Sequence, residues 1–221
     1  AVGPFTDLSA CQALREAHEL ELWGNLDRCP TLAEALEYWR GTGYEERHLY
    51  LARAAGEPAG LCSVTLPLRE NTATAGIDIL VDPAHRRRGL GRAVARGRGR
   101  TSRDGFHEVP LDRVGPGTDM LPARSGAGAL PLSDPGTALA AAAGYGLEQV
   151  ERSSRLDVPV ARELLDRLGD EAATSAGDDA VILWHDACPE EYVAGYAALK
   201  TRMSTDGPMA GLGWEREEWD P

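Results

Sequence analysis

Ile79-Leu80-Val81-Asp82-Pro83-Ala84-His85-Arg86-Arg87-Arg88-Gly89-Leu90-Gly91-Arg92 is the stretch on which the fold turns. The aliphatic run stops at Asp82-Pro83, because proline removes a ladder donor, and so reads as the end of a strand. Gly89 and Gly91 mark a tight loop, and 90–103 reads as an Arg-rich helix that contains Gly97 and Gly99. A strand running through such a loop into a helix can turn successive N–H groups toward one point. The helix N-terminus adds partial positive charge there. Glycine lets an anion approach the main chain, and arginine supplies fork-shaped donors. The expected ligand of this turn is a pyrophosphate.

The charge distribution gives the same expectation. The 221-residue chain carries −12, yet residues 85–103 carry +8 and no acid. An acidic protein repels nucleic acid as a whole, so binding through the Arg helix is disfavoured against a confined site for a small anion. Arginine outnumbers lysine 22 to 1. That bias points to a GC-rich, actinobacterial source and inflates the island, leaving a solvated helix face as the plain alternative.

Upstream, Leu8, Cys11, Leu14, His18 and Leu22 recur at helical spacing within 7–26. A second helix spans 31–40, where Thr31 and Glu34 form a capping box. Strands follow at 47–54, 59–67 and 73–81, joined by turns at Gly56-Glu57-Pro58 and Asn71-Thr72, which implies an antiparallel meander. Downstream, 106–114 reads as a broken or edge strand, 115–136 as a long loop and 137–143 as a short helix closed by Gly144. One or two strands are expected in 145–158, a linker helix in 160–173, a strand at 180–185 and a helix at 189–203.

Several classes are disfavoured. The longest weakly polar stretch, 138–147, is about half a bilayer span. The N-terminal AVGPFTDLSA lacks the basic and apolar regions of a secretory signal. Cys11, Cys29, Cys62 and Cys188 are too sparse for a disulfide scaffold and, with the five histidines, form no metal pattern. A cytoplasmic protein without metal is expected. The turn has no GK[ST] ending, so it is not a P-loop. Val94 breaks the dinucleotide GxGxxG, whose fold also needs parallel strands.

What remains resembles the GCN5-related N-acetyltransferase (GNAT) superfamily. Its signature is a strand ending V-x-P and then [QR]-x-x-G-x-[GA] opening a helix. Here these are Val81-x-Pro83 and Arg86-x-x-Gly89-x-Gly91, with a later Gly144-Tyr145 where the family often has Gly-Phe. The resemblance covers about residues 5–158. It implies an α/β fold with a mixed, mainly antiparallel central sheet flanked by helices, and residues 1–158 as the acetyl-CoA-binding domain. Residues 159–221 then resemble the linker helix and partial second unit of actinobacterial tandem GNAT proteins, or a C-terminal extension.

The resemblance further implies acetyl-CoA as co-substrate. The main chain of Ile79, Leu80 and Val81 would pair with the pantetheine arm. Arg86, Arg87, Arg88, Gly89, Leu90 and Gly91 would hold the pyrophosphate, with Arg92 near it. Main-chain N–H at a bulge in the strand would polarise the thioester, and a small-molecule primary amine would attack directly. Asp78 is the candidate base; an outward-facing strand residue is the plain reading of it. The position of the family's tyrosine acid is Ala140, and Ser133 and Asp134 lie near its cofactor-facing asparagine. The acceptor pocket is expected from 20–45 and 115–136. Ala140, Gly97 and Gly99 also suit a CoA-binding or regulatory module without turnover. Trp184, Trp214 and Trp219 need burial, in a core or in a homodimer contact.

Overall fold

A computed structural model describes residues 5–95, 102–105, 108–109, 117–154 and 156–221. They fall into two compact units. The first comprises 1–150 with 204–217, and the second 151–203 with 218–221.

The first unit opens with helix α1 (Phe5–Trp23) and helix α2 (Leu32–Tyr38). The capping box is present: the Glu34 N–H donates to Thr31 Oγ1 at 3.3 Å and the Thr31 N–H donates back to Glu34 Oε2 at 2.7 Å. Strands β1 (Glu45–Ala54), β2 (Glu57–Pro67) and β3 (Thr74–Val81) form the antiparallel meander. The β1–β2 connection is a two-residue turn, Ala55-Gly56, with φ of 52° and 90°. Two successive positive φ values match the twist of a tight hairpin. A bulge between Ala52 and Arg53 adjusts the register beside it.

Opposed residues of an antiparallel pair share a face. Leu49, Ser63 and Asp78 therefore line up across the sheet, as do Leu51, Leu61 and Leu80. Against this face Leu8, Cys11 and Leu14 of α1 close the core with Leu49, Leu61 and Leu80. The central strand is buried continuously from Ala59 to Ser63 because its neighbours pair both edges.

After β3 come a short 3-10 turn (Pro83–His85), helix α3 (Leu90–Ala95) and strand β4 (Ser102–Asp104). The helix expected over 90–103 thus gives way to a strand at 102, and 96–101 lie outside the described residues. β4 pairs parallel with β3 over only Thr74, Ala75 and Gly76. Of the strand expected at 106–114, Glu108 and Val109 are described and are irregular; the rest lies outside.

The loop expected at 115–136 contains a hairpin, β5 (Met120–Pro122) with β6 (Ala129–Pro131), then helix α4 (Pro135–Ala142). Asp134 caps α4, accepting from the N–H groups of Gly136 and Thr137 at 2.9 and 3.0 Å. Gly144, at φ 89°, ends it, and the Tyr145 N–H closes back on the Ala140 carbonyl at 3.0 Å. Irregular chain replaces the strands expected in 145–158.

Helices α5 (Arg162–Ala176) and α6 (Glu190–Asp206) follow. The expected strand 180–185 is irregular. No neighbouring edge pairs with it among the described residues, so Val181 and Leu183 stay 87% and 86% exposed. Trp184 instead meets Tyr196 edge-on at 5.8 Å, within the second unit.

Candidate acyl-transfer site

Two features of the first unit frame the site: the end of β3 with the turn that follows it, and a cavity on the α1–α2 face of the sheet. Beyond Gly76, β3 has no strand on its β4 side among the described residues. Gly105 stands close there, since a Cβ on it would lie 3.1 Å from the Ile77 carbonyl oxygen. On the other edge Ile79, Leu80 and Val81 pair with Cys62, Leu61 and Gly60 without a register shift. The bulge implied by the resemblance is therefore absent from this paired part of β3.

Asp82 fixes the start of the turn. Its N–H donates to the Ala59 carbonyl at 3.0 Å and its Oδ1 accepts from the Ala84 N–H at 2.8 Å. Arg86 reaches backward. Its Nη atoms donate to both Glu21 carboxylate oxygens at 2.7 and 2.5 Å, and its Nε donates to the Val81 carbonyl at 3.0 Å. The hydrogen bond to Glu21 holds the Arg86 guanidinium above its ordinary pKa, against the opposing effect of burial. The side chain thus ties α1, the end of β3 and the turn together and does not face the open side.

Arg87, Arg88 and Arg92 are exposed, and no carboxylate pairs with them among the described residues. Arg87 (φ 63°) and Gly89 (φ 87°) both adopt left-handed backbone, so the chain reverses here. A Cβ at Gly89 would meet open space, whereas one at Gly91 would lie 2.8 Å from Leu139 Cδ2. Gly89 therefore serves conformation and access, and Gly91 serves the packing of α3 on α4. As first-turn residues, Leu90, Gly91 and Arg92 have no intrahelical acceptor for their N–H groups.

The cavity has a volume of about 820 Å³. Its walls come from α1 (Cys11, Gln12, Arg15), α2 (Glu34, Tyr38, Trp39) and the shared face of β2 and β3 (Ser63, Thr65, Asp78). Asp78 lines the cavity with its side chain still 47% exposed, and Arg15 Nη2 lies 3.7 Å from it. Of the expected 20–45, Pro30, Glu34, Ala35, Tyr38 and Trp39 line it; of the expected 115–136, none of the described residues 117–136 does. The remaining wall is one that sequence reasoning missed, formed by Ser204, Trp214, Glu215 and Glu217 of the same unit. Trp214 Nε1 donates to Asp104 Oδ2 at 2.7 Å, and Glu215 exchanges two 2.6 Å hydrogen bonds with Asn71.

His18, also unassigned from sequence, lies on α1 between Arg15, which pairs with Asp78, and Glu21, which pairs with Arg86. Burial lowers its pKa, and Arg86 reinforces this, against the pull of Asp78, Glu19 and Glu21. Among the described residues no group of three or more His, Cys, Asp or Glu side chains is placed to hold a metal, and no helix is long and apolar enough to cross a membrane.

Residues 13–97 match the Acetyltransferase (GNAT) family. The matched segment runs from the middle of α1 to α3 and so contains β3, the turn and most of the cavity wall. No curated protein matches the chain. Among solved structures, a tandem GNAT protein from the clavulanic acid biosynthesis pathway is 22% identical. The match covers 93% of this chain and 60% of that one, with a TM-score of 0.53, and shows that the fold is shared. AAC(6')-Iy with a bisubstrate analogue is 14% identical over 72% of this chain and 93% of its own, with a TM-score of 0.40. An acetyltransferase from Agrobacterium tumefaciens is 16% identical over 72% and 98%, with a TM-score of 0.42. The chain spans about three fifths of the tandem GNAT protein that it matches.

Proposed function

We propose that the chain is an acetyl-CoA-dependent N-acetyltransferase acting on the primary amine of a small molecule. The observation that supports this best is the turn directly after β3, where Arg87, Arg88 and Arg92 are exposed with no carboxylate paired to them among the described residues, inside the segment that matches the GNAT family. In this reading residues 1–158 form the acetyl-CoA-binding domain and 159–221 the linker helix with a partial second unit or extension. The main chain of Ile79, Leu80 and Val81 pairs with the pantetheine arm. The main chain from Arg87 to Gly91 and the side chains of Arg87, Arg88 and Arg92 hold the pyrophosphate. Arg86 holds the turn in place.

The acceptor enters from the cavity on the other face of β3. Its nitrogen loses a proton toward Asp78, through water, and attacks the thioester carbonyl. The C–N bond forms, the C–S bond breaks and the CoA thiolate leaves, taking up a proton. Ala140 supplies no hydroxyl for that last transfer. This specific observation favours the second reading, a CoA-binding module without turnover.

Thermal shift with acetyl-CoA and thiol release with a panel of amines test both. Stabilisation with thiol release supports the enzyme, and stabilisation without release supports the module. No stabilisation, or an undiminished one in Gly89→Glu, overturns the site. That carboxylate would occupy the space now open beside Gly89.

A further inference from the structure

Residues 204–217 belong to the first unit, although the chain on both sides of them, 151–203 and 218–221, belongs to the second. The two ends of this segment meet. The Glu217 N–H donates to Ser204 Oγ at 3.1 Å. The next pair outward in sequence is tied as well, the Trp219 N–H donating to Thr201 Oγ1 at 2.9 Å. Past Asp206 the segment is irregular, and left-handed backbone at Ala210 (φ 46°) and Gly213 (φ 66°) turns the chain back. A surface loop of this length with its ends held together is an omega loop, a form that often carries function.

The loop rests on the rest of the first unit at two seats. Trp214 Nε1 donates to Asp104 Oδ2 at 2.7 Å. The Asn71 N–H donates to Glu215 Oε2 and the Glu215 N–H donates to Asn71 Oδ1, both at 2.6 Å. All three hydrogen bonds are exposed, so water competes for each partner and the net contribution of each is small. None of residues 204–217 is buried. Ser204, Trp214, Glu215 and Glu217 nonetheless wall the cavity. The wall they face is of another kind. Cys11, Leu49 and Leu61 line the same cavity, are at most 3% exposed and belong to the core of α1 on the sheet. Segments with exposed hydrogen bonds and little buried surface open first, well before the core.

We propose that residues 204–217 are a strap across the cavity, latched at Asn71 and Asp104, which opens as a piece while the core of α1 on the sheet stays folded. Opening gives access to the deep wall at Cys11, and closing shields it. Trp214 and Glu215 thus control what reaches the cavity. That the cavity admits the acceptor rests on the acetyl-transfer reading; the opening of the strap does not.

Cys11 reports the opening, because it is a free thiol on the cavity wall. Cys62 is the control: it is likewise free and buried, but it does not line the cavity. The test is labelling of the whole chain with iodoacetamide, without acetyl-CoA, with the rate at each cysteine followed by mass spectrometry. Asn71→Gly suits the left-handed backbone there (φ 54°) and removes Oδ1. Trp214→Phe keeps an aromatic ring and removes the indole N–H. Each loses one exposed hydrogen bond, so each should speed Cys11 labelling about two- to tenfold over wild type, and the double variant more, with the Cys62 rate unaltered. An unaltered Cys11 rate in the double variant overturns the proposal. So does an equal rise at Cys11 and Cys62, which would mean that the unit loosens as a whole. Because no acyl donor is present, a failure of acetyl-CoA to bind or react leaves this result standing and counts only against the acetyl-transfer reading.

Discussion

Replacing Arg86 by alanine separates two roles that an arginine beside a phosphate-binding turn can have. The bidentate contact with Glu21 joins side chains that are each 26% exposed, and the Nε bond satisfies the Val81 carbonyl. A fully exposed pair contributes at most about 1 kcal/mol, whereas a hydrogen bond to a charged group shielded from water contributes about 1.5–3 kcal/mol. Truncation removes both the Glu21 contact and the Val81 contact, so we expect a loss of about 2–3 kcal/mol. For a chain of this length that lowers the melting temperature by about 4–9 °C. Arg88→Ala removes an exposed group with no partner among the described residues and should leave the melting temperature within about 1–2 °C of wild type. In a thermal-shift assay with and without acetyl-CoA, Arg86→Ala should thus lower the baseline, and Arg88→Ala should chiefly shrink the ligand-induced shift. Arg162→Ala on α5, paired with an exposed Asp166, controls for removing a surface guanidinium. An unaltered baseline in Arg86→Ala together with a lost acetyl-CoA shift would refute the assignment of Arg86 as a strut.

Gly91→Val should destabilise the chain by about 1–3 kcal/mol, because its Cβ would press on Leu139 Cδ2; urea unfolding of wild type and variant measures it. Burial depresses the pKa of His18, so below the ordinary histidine value the unfolded chain binds the proton more readily than the folded one. Stability should therefore fall as pH drops below about 6.5, and His18→Gln should flatten that part of a melting-temperature profile. Cys62, buried and beside Asp78, has its thiol pKa pushed up to about 11. Ellman's reagent at pH 8 should thus label it more slowly than the partly exposed Cys188, and parity between a Cys62→Ser variant and wild type in the fast phase checks this.

Short-range pattern carried most of the first unit. Alternation and turn residues placed β1, β2 and β3 within two residues of their observed starts, and the Thr31–Glu34 box formed as its spacing required. Contacts between residues distant in sequence were not legible. Arg86 stands in a motif whose residue types suit an anion, but Glu21, 65 residues earlier, claims its guanidinium. The cavity wall depends on Trp214 meeting Asp104 and Glu215 meeting Asn71, 110 and 144 residues apart. Nothing local in that irregular tail announces a partner. The run 180–185 failed for the opposite reason: its propensity is strong, but a strand exists only where another edge accepts its hydrogen bonds.

The segregation of charge then has a structural meaning that composition alone does not give. A chain at −12 repels a polyanion at long range, so an anionic co-substrate needs a local concentration of cations, and Arg87, Arg88 and Arg92 stand exposed just after the end of β3. On the α1–α2 side the cavity lining includes the carboxylates of Asp78, Asp104 and Glu215. The two fields meet on a single strand. Arg86 turns away from the anion site to pair with Glu21, and Arg15 stands at Asp78. α1 thus places one charge of each sign beside β3, Arg15 at Asp78 and Glu21 at Arg86.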